Sequence, residues 1–118
     1  HQALNAYGYA LLVHRGAVAE ALPYLERALE LAPDSAAVLD SLGWARFLQG
    51  EHAQALALLE QAWARQRLPE IAAHLGEVLW VLGRRSEARE VWRAGLRLSA
   101  GDATLNDTLD RLLENRSP

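Results

Sequence analysis

Glu70, His74 and Glu77 stand at i, i+4 and i+7, a spacing that puts all three on one face of a helix. Two carboxylates and an imidazole so placed can hold a metal ion, and histidine is the commonest ligand. A dimetal carboxylate site, however, draws matching ligands from several helices, and no other segment of the sequence supplies them. We read the trio as a solvated or peptide-contacting cluster and expect no metal and no cofactor. The second group is basic: Arg85, Arg89, Arg93 and Arg97 recur every four residues, with Arg84 beside them and Glu87 and Glu90 in the same stretch. Charge at that spacing is ordinarily a solvated helix face. Its sharper reading is a docking strip for an acidic partner or for anionic lipid headgroups.

Constellations for catalysis are missing. There is no G-x-S-x-G elbow, no phosphate-cradling glycine loop and no H-E-x-x-H zinc motif, and an enzyme is not expected. The chain has no cysteine, which removes a disulfide framework, a thiolate nucleophile and a zinc–thiolate site. A net charge of −3 argues against general nucleic-acid binding, which depends on neutralising phosphates. No apolar run approaches the ~18 residues of a membrane span, so direct membrane insertion of this segment is not expected, and no signal-peptide pattern opens it. With 118 residues, 51% of them hydrophobic, there is material for one domain and its core. All twelve Lys or Arg positions are arginine, and methionine is absent even at the first position. We expect a piece of a longer protein, with room upstream for a signal sequence or lipid anchor.

The elements that must carry these residues repeat. Gly16, Gly50 and Gly83 lie 34 and 33 apart, as do Ala21, Ala55 and Ala88, and Leu25, Leu59 and Trp92 follow the same spacing. The earlier glycines Gly8, Gly43 and Gly76 are spaced by 35 and 33, so the first repeat carries one extra residue in its turn. Each unit reads as two amphipathic helices joined at a glycine. In the second unit Leu39, Leu42 and Phe47 mark one stripe, and Ala55, Leu59 and Ala62 the other. "LAPDSAA" and "RLPEIAA" separate the units; proline stops one helix, and Asp34 or Ser35 can cap the next. Glycine inside a helix costs about 1 kcal/mol relative to alanine. Its recurrence at 43 and 76 predicts a close helix–helix approach that offsets the loss.

The pattern resembles the tetratricopeptide repeat family. The second repeat carries the likeness at Leu42, Gly43, Gly50, Ala55, Leu59 and Ala62, and the third at Leu75, Gly76, Gly83, Ala88, Trp92 and Gly95. The first carries it at Gly16, Ala21, Leu25, Ala28 and Pro33, with Tyr7 where leucine is usual. The resemblance implies an all-α, right-handed superhelical solenoid of three helix-turn-helix hairpins over residues 2–35, 36–68 and 69–101. A capping helix would follow over 102–116, with Leu105, Leu109, Leu112 and Leu113 on its stripe. It further implies that the first helix of each hairpin lines a concave groove. The groove positions would be Asn5 and Tyr9; Asp40, Ser41 and Trp44; Glu70, Ala73, His74 and Glu77, with no arginine among them. Relatives that clamp a terminal carboxylate use cations at these places, and that activity is not carried over. Such a groove favours an apolar or basic peptide, a helical one included, with Tyr9 and Trp44 as anchors.

Trp92, Phe47 and Trp80 are read as packing residues. For Tyr9 and Trp44, core packing and partial exposure to a ligand stay open. Trp63 has no counterpart in the other repeats, and His14 and His52 are expected to face water. The arginine strip falls on the convex face. "LDSLGW", "EIAAHLGEVLW" and "EAREVWRAGL" also resemble the carboxyl-terminal repeats of bacterial repeat proteins, often outer-membrane lipoproteins. Some of these are adaptors that tether a periplasmic carboxyl-terminal processing protease to its substrates. That likeness implies a periplasmic, outer-membrane-attached parent, with the cytoplasm left open. The expected function is a protein-interaction scaffold with a protein or peptide partner. The alternative is self-association into a homo-oligomer, or a structural segment of a longer array.

Overall fold

Ser35 and Asp102 show why two of the helices start where they do. The Ser35 hydroxyl accepts a hydrogen bond from the Val38 amide at 3.3 Å, and an Asp102 carboxylate oxygen accepts one from Leu105 at 3.0 Å. Each satisfies an amide that the first turn leaves without an intrahelical partner. Pro69 opens another helix at a position where its missing N–H is no loss. The computed structural model describes residues 1–113 and contains, among them, seven helices and no strand. These are α1 (Gln2–Arg15), α2 (Val18–Leu31), α3 (Ala36–Leu48), α4 (His52–Arg65), α5 (Pro69–Val81), α6 (Arg85–Leu98) and α7 (Ala103–Leu112).

The helices gather into two units, His1–Arg65 and the residues from Gln66 onward. In the first unit α1 pairs with α2 and α3 with α4, while α3 also packs against α1 and α2. Its core joins Leu11, Leu12, Ala21, Leu25, Leu42 and Ala45. In the second unit α6 and α7 both pack on α5, α7 far more through α5 than through α6. Every residue of α5 from Ile71 to Leu79 is buried, as expected of a helix apolar on most sides.

The hairpin turns rest on glycine. Gly50 and Gly83 have φ of 83° and 86°, a left-handed conformation that other residues reach only with strain. The amides of Glu51 and Arg84 then reach back five residues to Arg46 and Leu79, closing the turn around otherwise orphaned carbonyls. In the first hairpin the Ala17 amide reaches back six residues to Leu11. The extra residue seen in the spacing is taken up in this wider closure.

The close approach expected at the mid-helix glycines is present within each hairpin. A side chain at Gly43 would stand 2.8 Å from Leu59 Cγ, and one at Gly76 would overlap the Trp92 indole. The terminal helix α7 runs to Leu112, with Leu113 as its C-cap, and positions 114–116 of the expected helix lie outside the described residues. One feature of α2 was not foreseen. Pro23 lies inside the helix, exposed like Ala19 one turn before it, so the carbonyl left without a donor lies on the watered side.

Candidate functional site

Tyr9 comes from α1 and Trp44 from α3, the leading helices of the two hairpins in the first unit. Both rings are half-buried and pack against the same core cluster. Trp44 is also stacked on Phe47, with centroids 5.0 Å apart and planes 28° from parallel. Phe47 in turn meets the His52 ring at 5.0 Å. Aromatic pairs in such offset geometry contribute beyond their buried area and hold Trp44 in one orientation. His52 is therefore half-buried against a ring, not solvated as its place near a turn suggested. His14 is exposed.

The polar residues expected in an open groove are placed differently. Asp40 is 2% exposed and Ser41 3%. The Ser41 hydroxyl donates to the Ala37 carbonyl one turn back, at 3.0 Å, and so is bound within its own helix. Asn5 is half-buried, and its Oδ1 atom has no hydrogen-bond partner among the described residues. Of these positions in the first unit, Asn5, Tyr9 and Trp44 keep part of their surface open, whereas Asp40 and Ser41 are buried.

In the second unit, α5 carries Glu70, His74 and Glu77. Glu70 is half-buried, whereas His74 and Glu77 are 3% and 7% exposed, and Ala73 is buried. Glu77 is gripped by Arg111 of α7, with Nη1 at 2.9 Å from one carboxylate oxygen and Nη2 at 2.5 Å from the other. This two-pronged geometry matches guanidinium to carboxylate, and it holds Arg111 above its ordinary pKa, the hydrogen bonds it donates to Glu77 outweighing partial burial. No arginine stands at the expected groove positions themselves, yet one from the terminal helix, 34 residues away, pairs with Glu77. Glu70, His74 and Glu77 do share a helix, yet among the described residues no group of three such side chains is gathered to hold a metal ion.

Arg85, Arg89, Arg93 and Arg97 are all exposed on α6. Arg84 bonds Glu87 through two contacts at 2.8 and 2.7 Å, which lowers the Glu87 carboxyl below its usual value. Arg85 and Arg89 lie over the Trp80 ring at 4.2 and 5.2 Å, a cation–π arrangement. Trp80 is thus half-buried under guanidinium groups and tilted against Trp92, at 5.4 Å. Trp92 is sealed in the core, and Trp63 is half-buried.

The repeat geometry finds its counterpart among known proteins. The tetratricopeptide repeat profile matches residues 1–67. The chain belongs to the tetratricopeptide repeat family. The TPR repeat-containing protein PA4667 of Pseudomonas aeruginosa is 45% identical over 75 residues, which is 64% of this chain and 13% of that protein. Among solved structures, the first TPR domain of human RPAP3 superposes with a TM-score of 0.78 at 17% identity, covering 94% of this chain and 87% of that one. The second TPR domain of the same protein, solved with an HSP70 peptide, gives 0.74 at 17% identity, over 92% and 91%. A MamA mutant gives 0.63 at 27% identity, over 94% and 64%. These likenesses establish the all-α helical-repeat fold. Among the described residues no helix is long and apolar enough to cross a membrane.

Sequence reasoning missed two features, one in each unit. The Glu77–Arg111 pair has no local signal, because its partners sit on different helices. The second is the exposed pair of Tyr7 and Tyr24, which meet edge to face at 4.7 Å and 84°. Only the unusual tyrosine at position 7 hinted at it.

Proposed function

We propose that this chain is a protein-interaction module that takes up a peptide or helix of a partner across α1 and α3, with Tyr9 and Trp44 as anchors. The observation that carries this reading is the rooting of both rings in one core cluster while part of each stays open. Half-exposed, pre-oriented aromatics give contact area at little entropic cost and commonly dominate interfaces. Membership of a family whose domains in general mediate protein–protein contacts supports it. So does the peptide bound to the second RPAP3 domain. In this reading residues 2–35, 36–68 and 69–101 are successive repeats and 102–116 the capping segment that holds α7. Within it, Asn5, Asp40 and Ser41 shape the anchor face, and Glu70, His74 and Glu77 are the corresponding positions of the second unit.

The test selects peptides from a displayed random library on the intact chain and titrates them against Tyr9→Ala/Trp44→Ala. Trp44→Leu serves as a fold-preserving companion. Loss of binding with an unchanged circular dichroism spectrum supports the anchors. Equal affinity for both proteins removes them.

The finer reading is an adaptor role in a longer bacterial protein, joining a periplasmic protease to its substrates. Its support is the resemblance of the framework segments and the Pseudomonas relative, of which the matched part is 13%. Co-purification of a protease with the parent protein, lost on deleting these residues, is the result that would sustain it. A second reading, self-association, is favoured by the exposed Tyr7, Val13 and Tyr24. Light scattering at two concentrations separates it from a monomeric binding module.

A further inference from the structure

Between α6 and α7 lies a cleft of about 220 Å³ lined by Arg89, Trp92, Arg93, Leu96, Leu109 and Leu113. It exists because α7 leans on α5 and touches α6 only lightly, leaving the apolar sides of both helices facing a gap. Trp92 and Leu109 are buried beneath it, while Leu96 and Leu113 are half-exposed. The two arginines at its rim are exposed, and Arg85 and Arg97 extend the charge one turn in each direction along α6. Arg89 is also laid over Trp80, so its guanidinium is oriented before any ligand arrives. Asp110 stands beside the lining residue Leu109 on α7, exposed to solvent, and the carboxylates of α6 do not cancel the arginine charge. Glu87 is bonded to Arg84, and helical register puts Glu90 on the side of Arg93 away from the cleft.

We propose that this cleft docks an acidic peptide segment, inserting one large apolar side chain between α6 and α7 while flanking Asp or Glu carboxylates pair with Arg89 and Arg93. The occupant follows from charge complementarity. A greasy recess sized for one side chain selects the anchor, and guanidinium forks match carboxylates on either side of it. A membrane surface fits less well. Helices that lie on bilayers push apolar side chains outward into the headgroup layer, whereas the apolar side chains on the arginine-bearing side of α6, buried Trp92 and half-exposed Leu96, line the cleft. The site lies wholly within α6, α7 and the residue after α7, so it neither needs nor supports the anchors proposed on α1 and α3.

The test uses the full chain. Peptides selected from the displayed random library are sorted by whether Arg89→Glu/Arg93→Glu abolishes them, with Leu113→Ser probing the apolar wall and thermal melts monitoring the fold. A class of peptides with an apolar residue among carboxylates is expected. Its affinity should fall about tenfold or more in the charge-reversed variant and weaken steeply with salt. The Tyr9→Ala/Trp44→Ala protein should bind that class normally. Failure to select any such class, equal binding by the charge-reversed variant, or arginine-dependent binding to phosphatidylglycerol vesicles alone would each overturn the proposal.

Discussion

The indole nitrogen of Trp92 occupies the space that a side chain at position 76 would need, so the α5–α6 hairpin is built on a large residue pressed against a missing one. The contact is tighter than at Gly43, where the opposing atoms belong to Leu59 and Leu58. Among the described residues the buried Trp92 N–H also finds no acceptor, which costs free energy that the packing must outweigh. Gly76→Ala should destabilise the chain by about 1–3 kcal/mol despite alanine's better helix propensity. Pairing it with Trp92→Leu, the residue type found at positions 25 and 59, should cost less than the sum of the single changes, a coupling that urea denaturation of the four proteins would measure. Strict additivity would contradict the contact.

Glu77 keeps its carboxylate almost out of water and pairs it with Arg111. Removing the cation strands that charge. Arg111 is itself half in solvent, so the loss is discounted: Arg111→Ala should cost about 1–2 kcal/mol. A raised pKa means that the arginine's contribution is complete below its unfolded value and fades only as pH climbs through the folded one. The difference between wild type and variant should therefore stay level from about pH 6 to 9. A slope in that window, read from denaturation at several pH values, would point to another titrating group.

Pro23 lies inside α2, where it gives up one backbone hydrogen bond. Its ring is exposed, so little packing is lost on removing it. Pro23→Ala is expected to raise stability by about 1–3 kcal/mol and to lift the melting temperature. No gain would mean that the ring stiffens the unfolded chain as much as it burdens the helix.

Tyr7 and Tyr24 present a joined aromatic patch on α1 and α2, 53% and 38% exposed. Replacing both with serine should lower the melting temperature by only a few degrees, because the edge contact is worth about 1 kcal/mol. If the chain self-associates through this face, the same change should remove the concentration dependence of light scattering. Scattering that persists would place self-association elsewhere.

The 33- and 34-residue spacing, read without coordinates, determined that the chain is a set of helical hairpins, where the turns fall and which glycines take the close contacts. Those features are local. A left-handed turn, a cap or a small residue facing a bulky one depends on residues near in sequence or one repeat apart, and so leaves a periodic trace. The fate of the polar residues on the leading helices was decided by tertiary structure. Asp40, Ser41, His74 and Glu77 share the register of groove residues, but burial depends on how far each helix is rotated and on what covers it. Arg111 reached Glu77, and a cleft opened beside Arg89 and Arg93, because α7 settled on α5 and not midway between α5 and α6. That choice rests on apolar surfaces summed over three helices, a sum that no single stretch of sequence contains.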